Sequence, residues 1–194
     1  MTKPVGVLSL QGDFREHLQA FERLGISAIP VKRKTELDSV SGLVLPGGES
    51  TTIGKLARIF DLFDPIVDAI QSGLPVFGTC AGLIMLADEI TDGIVGQETF
   101  GGLDVVVQRN AFGNQLDSFE VDLPFTGISD QVHAAFIRAP LITKVGPSAQ
   151  VVASLEDGRV VGVVQGNRLG ISFHPEVTGE DRIHSYFYDA LVCA

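Results

Sequence analysis

The segment Gly78-Thr79-Cys80-Ala81-Gly82 lies between an apolar run, Leu74-Pro75-Val76-Phe77, and a second apolar stretch, Leu83-Ile84-Met85-Leu86-Ala87. A cysteine with glycine two positions away on either side, between a strand and a helix, is how a nucleophile is mounted on a tight turn. Such a turn needs small neighbours, because a Cβ at the flanking positions would collide with the adjacent strand and helix. It also places the sulfur at a helix N-terminus, where free N–H groups and the dipole favour thiolate over thiol. Taken alone, Cys80 reads equally well as a small buried hydrophobe. A thiolate that attacks an acyl carbon needs a base, and the base needs a group to orient it. Ser172-Phe173-His174-Pro175-Glu176 follows an expected strand and offers both. In an extended segment positions i and i+2 face one side, so Glu176 can hold the His174 ring and favour its imidazolium. Without the elbow this would be an ordinary strand end with two solvated side chains. The remaining requirement is an oxyanion hole. Ala81 supplies one backbone N–H directly after the nucleophile, and a second comes from Gly47-Gly48, with Gly48 the expected donor. A phosphate cradle suits Gly47-Gly48-Glu49-Ser50 less well, since the loop has no Walker lysine and carries a carboxylate.

The elements that must position these groups are legible from periodicity. Val5 to Leu10 is a short apolar run, and Phe14, Leu18, Phe21 and Leu24 recur at helical spacing until Gly25 ends the pattern. Ile26 to Val31 predicts a second strand and Gly42 to Leu45 a third. The loop at Pro46-Gly47-Gly48 then opens a helix carrying Ile53, Leu56, Ile59, Phe60 and Phe63. Pro65 is expected to interrupt that helix and to begin another, ending near Gly73. Repeated βα units with fully apolar strands imply a mostly parallel central sheet with helices on both faces, a three-layer α/β fold. Sites on such sheets lie at the carboxyl ends of strands, where the Gly47 loop and the Cys80 turn both fall. Beyond about residue 100 the pattern becomes strand-like: Leu103 to Val107, Ser118 to Leu123, Ala135 to Ile137, Val151 to Leu155, Val160 to Val164 and Leu169 to Phe173. Asp157-Gly158 between two of these runs signals a hairpin, so antiparallel additions to the sheet are expected. A last helix starts near Glu180 and presents Ile183, Tyr186, Phe187 and Leu191 on one face.

Composition limits what such a site can serve. A length of 194 residues with 45% hydrophobic and 20% charged residues predicts one well-filled domain, 1–194, rather than a disordered chain. A formal charge of −10 argues against nucleic acid or an anionic membrane as partner, while a basic protein surface stays open. The N-terminal segment lacks signal-peptide character and no apolar stretch reaches spanning length, so a cytoplasmic protein is expected. Cys80 and Cys193 lie far apart, which suggests neither a disulfide framework nor a zinc site, and Cys193 reads as packing. The four histidines lack metal-ligand spacing, and no metal is expected.

The elbow, the loop Pro46-Gly47-Gly48-Glu49-Ser50-Thr51-Thr52 and His174-Pro175-Glu176 together resemble the Cys–His–Glu triad of class I glutamine amidotransferases, a family with a flavodoxin-like fold. Leu10-Gln11-Gly12, Arg109-Asn110-Ala111-Phe112-Gly113, Asp117-Ser118-Phe119-Glu120 and Phe136-Ile137-Arg138-Ala139-Pro140 are similar, more narrowly, to the glutaminase subunits of pyridoxal 5′-phosphate synthases. Many members of the broader class carry Gln four residues after the nucleophile, whereas this chain has Ile84, as the vitamin B6 branch tends to. The resemblance implies hydrolysis of L-glutamine to L-glutamate and ammonia through a glutamyl thioester on Cys80, with His174 as base and acid and Glu176 as its orienter. It further implies that Gly47, Gly48, Glu49, Arg109, Ile137 and Arg138 hold glutamine, which suits an amino acid needing an anion for its ammonium and donors for its carboxylate. An ordinary ion pair is the competing role for each arginine. Gln11 is the position that the family links to partner-dependent assembly of the site. The implied partner is a ring-shaped synthase subunit that takes up the ammonia and builds pyridoxal 5′-phosphate from a pentose phosphate and a triose phosphate. No cofactor is implied for this chain. The competing functions are a glutaminase for imidazole glycerol phosphate formation, a non-catalytic subunit of the same fold, and a thiol hydrolase acting on another γ-glutamyl compound.

Overall fold

Three four-residue strands with no water-facing side chain form the centre of the molecule: β1 (Val5–Leu8), β3 (Gly42–Leu45) and β4 (Val76–Thr79). Runs that are apolar throughout are stable only when both sheet faces are covered. Helices and further strands provide the cover in the computed structural model, which describes residues 3–109 and 118–194. Between these strands lie α1 (Phe14–Arg23), β2 (Ala28–Val31), the short α2 (Lys34–Leu37), α3 (Ser50–Ile59) and α4 (Phe63–Gln71). After β4 come α5 (Ala81–Leu86), β5 (Ala87–Thr91), β6 (Leu103–Gln108), β7 (Phe119–Leu123), β8 (Val132–Phe136), β9 (Leu141–Val145) and β10 (Gln150–Ser154). The chain closes with β11 (Val160–Gln165), β12 (Arg168–Ile171), α6 (Pro175–Thr178), α7 (Asp181–Phe187) and a π-type turn over Tyr188–Val192.

The main sheet runs β2-β1-β3-β4-β12-β11-β9-β6-β5, with β10 paired to β11. From β2 to β12 all pairs are parallel, in register Val5↔Ala28, Val5↔Gly42, Leu43↔Val76 and Val76↔Arg168. Beyond β12 the pairs β12–β11, β11–β9, β9–β6 and β11–β10 are antiparallel. The expected three-layer architecture is therefore present, with a mainly antiparallel wing at one side of the parallel strands that ends in the parallel pair β6–β5. Side chains alternate across it. Leu43, Leu45 and Val76 enter a core completed by α3, α4 and α5, while Val44 and Phe77 enter a second core completed by α1, α7 and the β7–β8 ribbon. Phe21, Phe77 and Phe187 in the second core are fully buried, each stabilising the fold by roughly 1.5–3 kcal/mol through lost apolar exposure.

Several boundaries differ from the sequence reading. The break between α3 and α4 falls at Asp61, whose φ of 54° ends the first helix, and Phe63 starts the second rather than closing the first. Pro65 sits within the first turn of α4, where its missing N–H costs little. Ala87 opens β5 rather than extending α5, and β9 and α2 were not anticipated. β7 and β8 pair only with each other, as a separate ribbon rather than an extension of the main sheet. Residues Asn110 to Gly113 and Asp117 of the quoted motifs lie outside the described residues. Among the described residues no helix is long and apolar enough to cross a membrane.

Candidate active site

Cys80 is the residue between β4 and α5, with φ 49° and ψ −102°. A non-glycine residue at positive φ is strained and persists only where its surroundings impose it. Here the Cys80 N–H donates to Ile171 O at 2.9 Å, and its carbonyl accepts from Ile84 N at 3.2 Å. The flanking glycines are required by close approach. A Cβ on Gly78 would lie 2.6 Å from the Gly82 carbonyl group, and one on Gly82 would lie 1.9 Å from Leu45 O. The sulfur-bearing residue is 7% exposed.

His174 stands at the corner between β12 and α6, where its N–H donates to Ala135 O at 2.9 Å. Its Nδ1 is 2.7 Å from Glu176 Oε1. The expected pairing is present, but for a different reason. β12 ends at Ile171, Pro175 is the first residue of α6, and Glu176 reaches back from the helix's second position rather than along an extended chain. Burial alone would lower the His174 pKa, but hydrogen bonds to Cys80 and Glu176 and the charges of both raise it to about 10. With Nδ1 committed to Glu176, Nε2 is the nitrogen left for the sulfur. Burial raises the pKa of Glu176, opposed by its bond to His174. Asp13 Oδ2 is 3.7 Å from His174 Nδ1. Asp13, His174 and Glu176 each place a ligand-capable atom within 4.8 Å of the others, although the His174 and Glu176 atoms are already bonded to each other.

The glycine loop packs directly on this pair. A Cβ on Gly47 would lie 2.4 Å from His174 Cε1, and the Gly47 carbonyl accepts from Asp13 N at 3.1 Å. Across a trans peptide the Gly48 N–H points away from that contact. Gly48 has φ +146°, and a Cβ there would meet Gln11 Oε1 at 2.4 Å. Gln11 Oε1 accepts from Glu49 N at 2.8 Å, tying the end of β1 to the loop. Glu49 caps α3, accepting from the N–H groups of Thr51 and Thr52 at 3.2 and 2.8 Å and from both threonine hydroxyls. Partial burial would raise its pKa, but these bonds lower it to about 2. Glu49 also accepts from Arg109 Nη2 at 3.0 Å, and Arg109 Nη1 donates to Gln97 Oε1 at 2.7 Å.

A cavity of about 450 Å³ opens over the sulfur. Gln11, Gly48, Glu49, Cys80, Arg109, Ile137, Arg138 and His174 line it, so eight of the predicted positions converge on one space. Gly47, Ala81 and Glu176 stand outside its lining: Gly47 under the His174 ring, Ala81 buried at the start of α5, and Glu176 buried beyond His174. Among the described residues, neither the Ala81 nor the Gly48 N–H has a hydrogen-bond acceptor.

The SNO glutamine amidotransferase family matches residues 7–193 of the chain. The chain belongs to the SNO glutamine amidotransferase family. Among its relatives, a pyridoxal 5′-phosphate synthase subunit PdxT of Leifsonia xyli subsp. xyli is 58% identical over 184 residues, covering 94% of this chain and 93% of the relative. A protein of the same name from Nocardioides sp. is 55% identical over 189 residues, covering 95% and 94%. A solved structure described as a glutamine amidotransferase superposes with a TM-score of 0.91 at 48% identity, covering 98% of this chain and 99% of that one.

The cavity of this SNO family member also contains residues that the sequence reading left without a role in the site. Asp13, Ser50 and Val177 line it, as does Ile84, quoted above only as a departure from the broader class. Outside the cavity lining, Gln97 bridges Arg109 and Ser50 from the segment after β5. The signal for Asp13, Ser50 and Val177 was adjacency to quoted motifs at strand ends. Gln97 carried none, because only the folded loop brings it to Arg109.

Proposed function

We propose that this chain is the glutaminase subunit of a two-subunit pyridoxal 5′-phosphate synthase, releasing ammonia from L-glutamine at Cys80 and passing it to the synthase subunit. The observation that carries the reading is one geometry: a strained cysteine at the β4–α5 turn, coupled to a buried His174–Glu176 pair 2.7 Å apart, beneath a cavity bordered by Gly48. The relatives named above support the pathway. Both are named as synthase subunits, and they align over nearly the whole of this chain.

In the proposed reaction the Cys80 thiol gives its proton to His174 Nε2 and the sulfur attacks the carboxamide carbon. The negative charge that develops on the amide oxygen is met by the N–H groups of Ala81 and Gly48, which have no competing acceptor among the described residues. Collapse breaks the C–N bond, His174 returns the proton to the departing nitrogen, and ammonia leaves a glutamyl thioester. His174 then takes a proton from water, whose oxygen attacks the thioester carbon; the C–S bond breaks, His174 returns the proton to the sulfur, and glutamate and the free thiol result. Glu176 stays ionised throughout, holding the ring and balancing the imidazolium. Glu49, Arg109, Ile137 and Arg138 surround the substrate, with Glu49 facing the ammonium group and the arginines the carboxylate. The existing Glu49–Arg109 pair then has to open or share its charges with the bound amino acid. Gln11, whose Oε1 accepts from Glu49 N, supports a role in coupling the partner to the Gly47-Gly48 peptide.

The test is glutamate release from L-glutamine with and without the synthase subunit from the same organism. Cys80→Ala is expected to abolish release while leaving complex formation and ammonia-driven pyridoxal 5′-phosphate formation intact. Residual glutaminase activity close to that of the unmodified protein would remove Cys80 from the chemistry.

A further inference from the structure

Behind the Glu176 carboxylate lies a polar chain that the triad does not use. Glu176 Oε1 is taken by His174, while Oε2 is buried with no hydrogen-bond partner among the described residues. His17 Nε2, on α1, stands 3.7 Å from that oxygen, and both side chains are fully buried. The same Nε2 is 3.2 Å from Thr79 Oγ1, on the residue before the nucleophile. On its other side His17 Nδ1 is 2.8 Å from His184 Nε2 of α7, and His184 Nδ1 ends the chain with no partner among the described residues. Two imidazoles are thus enclosed between α1, α7 and the ring of Phe77, where an apolar side chain would avoid the cost of burying a polar one.

Only one proton fits between His17 Nδ1 and His184 Nε2, and its owner decides what Glu176 faces. If it belongs to His17, a bare Nε2 lone pair points at a carboxylate, and the N–H of His184 is left on Nδ1, where nothing accepts it. If it belongs to His184, the unpartnered atom is only a lone pair, and His17 carries its N–H on Nε2, toward Thr79 and Glu176. A buried N–H without an acceptor is costly, and an N–H facing a carboxylate is attractive where a lone pair is repulsive. The second arrangement is favoured on both counts. Burial, with His184 and His174 nearby, keeps His17 neutral, and burial keeps His184 neutral, with Asp181 and Arg23 facing it. Glu176 itself is faced by His174, His17 and Asp13, and Asp13 opposes its charge.

We propose that His17, oriented by His184, is a positioning residue for Glu176: it presents an Nε2–H to the carboxylate oxygen turned away from His174, keeping Glu176 ionised and aimed at the catalytic ring. The separation is longer than a hydrogen bond, so the contact acts as a charge–dipole interaction shared with Thr79. This inference rests on the Cys80–His174–Glu176 reading above.

Two measurements test it. Nitrogen-15 NMR of the histidine-labelled full chain is expected to show His17 and His184 neutral, each protonated on Nε2. A proton on His17 Nδ1, or an imidazolium at His17, overturns the proposal whatever the variants do. In the complex with the synthase subunit and L-glutamine, His17→Leu is expected to lower kcat about tenfold, with KM changed by no more than about twofold. Its acid limb should move to higher pH, because Glu176 protonates more easily. His17→Gln, which restores an N–H donor near Nε2, should recover most of the rate and the original profile. An unaltered kcat in His17→Leu, or equal losses in both variants with an unmoved pH profile, also refutes it. If the native complex itself releases no glutamate, the proposed function fails, and the NMR assignment still reads the His17 orientation independently.

Discussion

Gly47→Ala should disable the catalytic pair without unfolding the protein. Gly47 is absent from the left-handed backbone positions, so alanine is conformationally acceptable there and the effect is purely one of space. The added Cβ would lie 2.4 Å from His174 Cε1 and 3.0 Å from both His174 Nδ1 and Asp13 Oδ2. Ordinary carbon contacts begin near 3.4 Å, so ring and loop must separate by about 1 Å. The ring cannot rotate freely, because its Nδ1 is pinned to Glu176 at 2.7 Å. If the ring yields, the Nε2–sulfur contact is lost; if the loop yields, the Gly48 N–H moves from the oxyanion. A misplacement of this size costs about 10²-fold in rate, or about 2.7 kcal/mol in the barrier. Stability should change little, since the displaced atoms can move into the open cavity. The assay is steady-state glutamate release in the complex, with thermal unfolding of the isolated chain and ammonia-driven pyridoxal 5′-phosphate formation as controls. Gly47→Ala with a kcat within about threefold of native would show that the loop is not held against His174 as described.

Two further predictions concern the scaffold. Gly82→Ala drives a Cβ to 1.9 Å from Leu45 O, a backbone atom of β3 that cannot swing aside, and should destabilise the fold by about 3 kcal/mol or more, whereas Gly54→Ala, with contacts only at 3.6 and 3.9 Å inside α3, should stabilise it by about 0.5–1 kcal/mol; urea midpoints of the two variants check the contrast. Burial lowers His184 from the usual value of 6.5 to about 4, so below the higher pH the unfolded chain binds a proton that the folded chain refuses. Its contribution is intact above pH 6.5 and is lost as pH falls to about 4, on the order of 3 kcal/mol, a slope that urea titrations should find flattened in His184→Gln.

What could be read from the chain was what is decided locally. The Cys80 elbow was legible because its glycines answer to contacts within five residues of sequence and one neighbouring strand. His174 and Glu176 were legible by type and spacing, although the assumed extended backbone is a helix start, since Pro175 suits either conformation. The break at Asp61 was not legible. Phe63 continues the apolar phase of α3, and the aspartate that stops the helix does so in a left-handed conformation that glycine usually marks. β5 was hidden because Ala87 extends the apolar run of α5, and β9 because Thr143 and Lys144 interrupt the apolar run of Leu141 to Val145. The His17–His184 contact spans 167 residues, and no local pattern in either helix announces it.

The topology explains why such distant residues converge. β1, β3, β4 and β12 are consecutive, parallel neighbours, so their carboxyl ends emerge along one edge at spacings of about 4.8 Å. Gln11 to Asp13, Gly47 to Glu49, Cys80 and His174 follow those four ends in turn, which places the reacting groups on the part of the molecule buried on both faces. Arg109 follows β6 and Ile137 and Arg138 follow β8, so the cations of the cavity come instead from the antiparallel wing and the separate ribbon. On the proposed reading, the bond-making groups and Glu49 rest on the parallel strands, while the two arginines that face the substrate carboxylate come from elsewhere. If those roles hold, a displaced wing is expected to alter how the amino acid is held before it alters the Cys80–His174 contact, whereas a fault in the four parallel strands reaches the nucleophile directly. The loop at Gly47 to Glu49 is where the two supports meet, with Gly47 against His174 and Glu49 against Arg109. On the proposed reading, a partner that moved this loop would change binding through Glu49 and chemistry through Gly47 together.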